Sequence, residues 1–374
     1  MTTPDDQQPG PAWPFALAEQ SLKRAEPADA SDDGKVTRAG NHRAPPDGAT
    51  ETQRPLRVLV TGLSGRLGQV WLRQVSRAFE LVGLDRRAFP GAPTDLEFYR
   101  IDLRSTRVIE VFERGNFDAV VHLGTLHNLR AKDALHFSWN VTAFHRLLEC
   151  VERFKVPRLV VLSSADVYGP GPANPAYIKE DAPLLGAQRF FAIRDLVSLD
   201  LAAQNFMWRV QSTETVILRP CHVVGTVRNA ASTYFNLMRP LMLSGFDPMI
   251  QLIHERDLLA AIEVTLGGVS PTGQPREGLR CGVYNVAGQG ALPLSQTHDR
   301  LGLRPRSVPL TLARTFVANA WGLRASRFPA EQLDHIRYPC TVDNRRFVEA
   351  TGFAPRFDFD DMAHSLQVEA AFTR

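Results

Sequence analysis

The chain is poor in the features that most readily announce a function. Its 374 residues hold four cysteines, Cys150, Cys221, Cys281 and Cys340, and none belongs to a Cys-x-x-Cys pair. Metal-ligand spacing is therefore absent and no metal is expected. A chain of this size also needs no disulfide framework to hold a core. Charge is nearly balanced, 43 basic against 40 acidic residues for a formal net charge of +3. That balance gives no electrostatic case for a nucleic-acid or anionic-membrane partner. There is no apolar run of the roughly 18 residues that a membrane-spanning helix needs. The first ten residues are acidic and polar and lack a signal-peptide core. No internal repeat is visible. These absences read as a cytoplasmic protein with free thiols.

Residues 1–55 read as a disordered tail. The stretch 29–52 is dense in Asp, Gly, Pro, Ala and Thr without an apolar period, and such a segment cannot offset the entropy of ordering itself. Trp13, Phe15 and Leu17 make one small apolar island within it. Order begins at Leu56. Mostly apolar runs at 56–60 (broken only by Arg57), 81–84, 119–123, 159–163 and 216–218 have the character of buried parallel strands. Helical spacing lies between them, as at Leu67, Val70, Trp71, Leu72 and Val75, and again through 144–154. Strands alternating with helices predict an α/β fold with a doubly wound parallel sheet over 56–225, rejoined by part of 250–290. After Pro220 the alternation weakens. Helical segments near 231–242, 256–267, 310–322 and 343–350 suggest a smaller, mainly helical substrate-binding part over 226–374. A ligand is then expected between this part and the carboxyl ends of the strands.

The first strand runs into Thr61-Gly62-Leu63-Ser64-Gly65-Arg66-Leu67-Gly68. Gly62 is expected to make the tight turn, Gly65 to let the backbone approach a pyrophosphate, and Gly68 to let the helix pack on the strand. The helix then aims free N–H groups and the positive end of its dipole at the phosphates. The motif lies between a predicted strand and a predicted helix, the context a dinucleotide fingerprint requires. Asp85 closes the second strand, 23 residues after Gly62, where a carboxylate accepts from ribose hydroxyls and repels a 2′-phosphate. NAD is expected on that ground. Arg86 and Arg87 follow directly and keep NADP open as the alternative.

Together with Asp102-Leu103, His122-Leu123-Gly124-Thr125, Asn140, the run Ser163-Ser164-Ala165-Asp166-Val167-Tyr168-Gly169, Glu180, Leu218-Arg219-Pro220, the run from Ile253 to Asp257 and Tyr284-Asn285-Val286, these residues resemble the extended short-chain dehydrogenase/reductase family. The branch is that of the NAD-dependent epimerases and dehydratases, and the flavour is of a UDP-glucose 4-epimerase-like bacterial subgroup. The resemblance runs from about residue 56 to the C-terminus. It implies a Rossmann domain holding NAD(P), a C-terminal part holding a nucleotide sugar, and a homodimer through a four-helix contact. It also implies that Asp102 and Leu103 flank the adenine, Leu123, Gly124 and Thr125 line the cofactor, and Asn140 supports the central helix. Ser164 falls on the catalytic Ser/Thr position, its hydroxyl hydrogen-bonding a substrate oxygen.

The resemblance breaks where the chemistry is usually done. The family normally uses a Tyr-x-x-x-Lys pair, the lysine lowering a phenol pKa that is otherwise near ~10. Counting from Glu180 puts the pair at Phe191 and Asp195; matching helix ends puts it at Arg194 and Ser198. In either register the dyad is missing, because no lysine follows Lys179 and no tyrosine lies between Tyr177 and Tyr234. His222 stands where asparagine is frequent, and Ile250 where an arginine usually clamps phosphate. Tyr168, His222, His254 and Asp195 are the candidate substitutes for proton transfer, a histidine being able to shuttle protons near neutral pH unaided. Ser164, Tyr168 and His222 are thus the expected catalytic residues. Three functions follow: an oxidoreductase or isomerase acting on a nucleotide-activated sugar, a non-catalytic NAD(P)-binding sensor or scaffold, and a reductase of a less polar hydroxyl compound. The last rests on Ile250 and the amphipathic stretch 310–324.

Overall fold

Val58, Leu59 and Val60 are fully buried in β1 (Leu56–Thr61), an interior strand of a seven-stranded sheet. The structure, a computed structural model, describes residues 54–372 apart from 127–129, 189–190, 228–229, 236, 238, 270–274 and 327. The expected tail, save its last two residues, lies outside the described residues. The other strands are β2 (Phe79–Asp85), β3 (Phe98–Arg100), β4 (Ala119–His122), β5 (Arg158–Leu162), β6 (Glu214–Pro220) and, after an excursion, β9 (Gly282–Val286). Their spatial order is β3-β2-β1-β4-β5-β6-β9, and every pair is parallel. Parallel strands are covered on both faces, which is why these runs are apolar without alternation.

Successive side chains still divide between the faces. Val58 and Val60 pack with Val70 and Trp71 of α1 (Arg66–Gln74) and with Leu258 and Ile262 of α5 (Glu255–Leu266). Leu59 and Val82 face α2 (Val108–Gly115), α3 (Ala143–Arg153) and α4 (Phe191–Arg209), meeting Phe112, Phe144, Leu147 and Phe206. A third core gathers Val224, Tyr234, Phe235 and Leu252 with Val317 of α6 (Leu310–Gly322), Leu333, and Met362 of α7 (Phe359–Phe372). The short parallel pair β7 (His222–Val224) and β8 (Leu252–His254) leads into it from the sheet.

The helical reading at 231–242 is only partly met. The helix covers Ala230–Phe235, and Leu241–Leu243 is a strand paired with Arg306–Val308. Pro240 keeps a helix from running through 239–242, since the residue before a proline, here Arg239, is driven out of the helical region. The helix expected through 144–154 continues backwards through a π-helical turn, Ser138–Thr142, into Asp133–Phe137. Among the described residues no helix is long and apolar enough to cross a membrane.

Candidate functional site

A cavity of about 930 Å³ opens at the carboxyl ends of the strands, where the strand order reverses between β1 and β4. This is the crevice in which doubly wound sheets place their ligands. Its floor is the glycine turn. Gly62 has φ +78°, and a Cβ there would stand 2.7 Å from the Cα of Gly124 on the neighbouring strand end. A Cβ on Gly65 would stand 2.9 Å from the carbonyl oxygen of Gly62. One on Gly68 would collide with the backbone of Leu63, so its hydrogen lets α1 sit on the strand. Gly65 is the N-cap of α1. No side chain caps this helix and its first turn has no acidic residue, which leaves amide donors for an anion.

Asp85 lies on the cavity wall with its carboxylate held from behind. Ser64 Oγ donates to Oδ2 at 2.6 Å and the Arg87 backbone N–H donates to Oδ1 at 3.0 Å. Ser64 itself does not line the cavity; it orients Asp85. Arg66, Leu67, Gly68, Arg86, Leu103, Leu123, Gly124 and Thr125 do line it. The guanidinium of Arg86 stacks on Trp139 at 4.1 Å, and that of Arg104 on the same ring at 3.9 Å. Asp102 is not on the wall, because its carboxylate is gripped by Arg104 at 2.6 Å and 3.1 Å. Asn140 is also one layer back. It accepts from the Leu126 N–H at 2.7 Å and donates to the Leu126 carbonyl at 3.2 Å, clamping the segment that carries residues 123–126.

The far half of the cavity brings Ser164 and His222 to one wall. Ser164 caps the turn Ala165–Val167, its Oγ accepting from the Asp166 N–H at 3.1 Å. The same turn carries Asp166 into the cavity. Opposite comes His335 from the turn Ala330–Ile336. Its Nδ1 is 3.8 Å from Asp166 Oδ1, and its ring centroid is 5.7 Å from that of His222. Burial lowers the His335 pKa; the charge of His222 adds to that, and Asp166 opposes it. Sequence reading missed His335 altogether and valued Asp166 only as part of a motif. The residues are 169 apart in the chain, and no local period connects them.

Tyr168 is a correction. The structure does not bring it to the cavity. Past the Ala165–Val167 turn the chain points it into the core, where it is 2% exposed. Its hydroxyl donates to Asn285 Oδ1 at 2.8 Å and accepts from Arg219 Nη1 at 2.8 Å. Burial pushes its pKa up to about 12, against the lowering effect of Arg219. Arg219 in turn holds Asp200 at 2.7 and 2.9 Å, and Ser163 donates to the same carboxylate. Tyr168 therefore belongs to a buried polar network under the cavity wall.

The remaining candidates also lie off the wall. His254 accepts the Arg256 N–H as the N-cap of α5 and stacks on Phe357 at 3.9 Å. Asp195 is buried against His136, 2.8 Å away, and Arg194 reaches Asp133 on the surface. Ile250 does line the cavity.

The sequence profile of the NAD dependent epimerase/dehydratase family matches residues 58–266, more than half of the chain. The chain belongs to that family. The matched span includes the glycine turn, Ser164, Asp166 and His222, whereas His335 lies beyond it. An uncharacterised protein of Mycobacterium bovis is 26% identical over 285 residues, covering 71% of this chain and 70% of its own length. The UDP-glucose 4-epimerase of Bacillus subtilis is 30% identical over 142 residues, which are 34% of this chain and 41% of that enzyme. Among solved structures, MoeE5 in complex with UDP-glucuronic acid and NAD has a TM-score of 0.65 at 20% identity, covering 85% of this chain and all (100%) of that one. Bordetella bronchiseptica WbmG in complex with NAD and UDP has a TM-score of 0.64 at 16% identity, covering 87% and 96%. The family fold is thus shared along most of the chain.

Proposed function

We propose that this family member binds NAD at the glycine-turn end of the cavity and acts as an oxidoreductase or isomerase on a nucleotide-activated sugar at the other end. The observation that carries the reading is the continuity of one cavity from Gly62 and Asp85 to Ser164 and His222. The residues fit the cofactor. Side chains are missing where a pyrophosphate would approach, α1 offers its N-terminus, and Asp85 is pre-oriented by Ser64 for ribose hydroxyls. When bound, NAD supplies a hydride acceptor.

The chain's own residues supply positioning and proton handling. Ser164 has no described acceptor for its hydroxyl hydrogen, so it can donate to a substrate oxygen. Proton transfer falls to the corner of His222. The residues described as lining the cavity include no lysine and one tyrosine, Tyr234, whose hydroxyl donates to the Leu241 carbonyl at 2.7 Å. Burial raises the pKa of Tyr234 strongly, which leaves it unsuited to give up a proton. Arg130 and Arg324 bring positive charge to the wall on the substrate side, where Ile250 brings none. We also propose a homodimer through the outer faces of α3 and α4, where Trp208 is 74% exposed.

The test is turnover of purified protein with NAD across a panel of nucleotide sugars, followed by nicotinamide absorbance and product analysis. Ser164→Ala is expected to slow turnover by ~10²–10⁴. Silence on every sugar, with Ser164→Ala binding NAD as the parent does, would favour the sensor or scaffold function instead. A second reading has its own support. Phe235, Ile250, Leu294, Phe328, Leu333 and Ile336 make the substrate side largely apolar, which suits a less polar hydroxyl compound. Including aliphatic and polycyclic alcohols in the panel separates the two.

A further inference from the structure

We propose that Asp166, His222 and His335 bind one divalent transition-metal ion of the zinc class in the cavity wall beside Ser164. Among the described residues, these are the one group of three metal-ligating side chains whose donor atoms converge, all lying within 4.8 Å of one another. They arrive from three separate elements: the turn after β5, the start of β7, and the turn Ala330–Ile336.

The spacing is not that of an ordinary hydrogen-bonded cluster. The 3.8 Å between His335 Nδ1 and Asp166 Oδ1 is too long for a hydrogen bond. It is close to the separation of two donors on one ion, roughly 3.3–3.5 Å when each bond is ~2.0–2.2 Å. His335 Nδ1 is buried without a hydrogen-bond partner, and such orphaned groups are rare in folded proteins. The carboxylate of Asp166 accepts no hydrogen bond from any described residue. One shared ion would satisfy both groups, and His222, with a ring nitrogen within 4.8 Å of both of the other donors, completes the set.

The donor chemistry selects the ion. Two imidazoles with one carboxylate suit zinc, iron, cobalt or nickel, whereas magnesium and calcium prefer sites built wholly of oxygen. Three protein ligands at the edge of a cavity leave a coordination position facing it, the pattern of sites that take a substrate or water. The inference needs neither NAD nor a sugar, so it stands or falls apart from the proposed reaction.

The experiment is titration of Zn²⁺ into chelator-stripped full-length protein, by calorimetry or competition with a chromophoric chelator, without other ligands. One equivalent per chain is expected. His335→Gln and Asp166→Asn should each weaken binding at least ~100-fold, more than the ~10–100-fold of losing a supporting partner. Co²⁺ should give a visible absorption band in the parent protein that both variants lose. His364→Gln, at an exposed position, should bind as the parent does. Circular dichroism and thermal melting identify any variant that fails to fold, and Asp166→Asn keeps the side-chain shape should His335→Gln fail. The proposal is overturned if the parent takes up no Zn²⁺ at micromolar concentration. It is equally overturned if folded Asp166→Asn, or the double variant H222Q/H335Q, binds like the parent.

Discussion

Gly65 and Gly62 carry most of the cofactor argument, and each can be tested singly. At Gly65 a branched side chain has to displace the carbonyl of Gly62 in the turn that a pyrophosphate would meet. Gly65→Val is expected to reduce NAD affinity by ~10-fold or more, measured by fluorescence titration on a sample whose circular dichroism matches the parent. Gly62→Ala adds backbone strain to a clash, because φ is +78° there, and should also lower stability. Two buried histidines give a pH prediction. Burial pushes His122 down to about 3 and His254 down to about 4. The folded state therefore keeps both rings neutral while the unfolded chain protonates near ~6.5. Between those values the unfolded state binds more protons, so stability is fully present above pH ~6.5 and is lost as pH falls toward 4 and then 3. Melting temperature should decline over that window at constant ionic strength, and His254→Gln should flatten the part above pH 4.

Elements meet in the network of Tyr168, Asp200, Arg219 and Asn285, which ties the turn after β5 to α4, β6 and β9. All four residues are buried, so the guanidinium of Arg219 depends on Asp200 for compensation. Asp200→Ala is expected to cost about 3–5 kcal/mol, read from the urea midpoint, because it strands a buried charge. Tyr168→Phe should cost about 1–3 kcal/mol through the lost hydrogen bonds, with NAD affinity unchanged. A loss of cofactor binding in Tyr168→Phe would return Tyr168 to the site. The elements themselves were largely readable from the chain. Runs such as Val58–Leu59–Val60 and Val120–Val121 are apolar because both sheet faces are covered, and that burial is what the eye detects. The strand Leu241–Leu243 was hidden, since a three-residue strand after Pro240 carries no period of its own.

At the scale of the whole molecule, the cavity joins the sheet's carboxyl edge to the third hydrophobic core, so a ligand filling it should stabilise the fold by linkage. NAD at a hundred times its dissociation constant is expected to add about 2.7 kcal/mol, seen as a melting-temperature rise of several degrees. At the same NAD concentration Gly65→Val should cut that gain to about 1.4 kcal/mol or less, and an undiminished rise would place the cofactor elsewhere.

The amino-acid sequence alone determined the α/β layering, the dinucleotide turn and the family, because burial patterns and turn stereochemistry are local: Gly62, Gly65, Gly68 and Asp85 need only neighbours along the chain to be recognised. Tertiary structure decided the rest. It turned Tyr168 into the core and Asp166 into the cavity from the same turn, put Ser64, Asp102 and Asn140 one layer behind the wall, and carried His335 across to His222. Side-chain direction at a turn and convergence over 169 residues follow from packing of the whole chain, which no local spacing records.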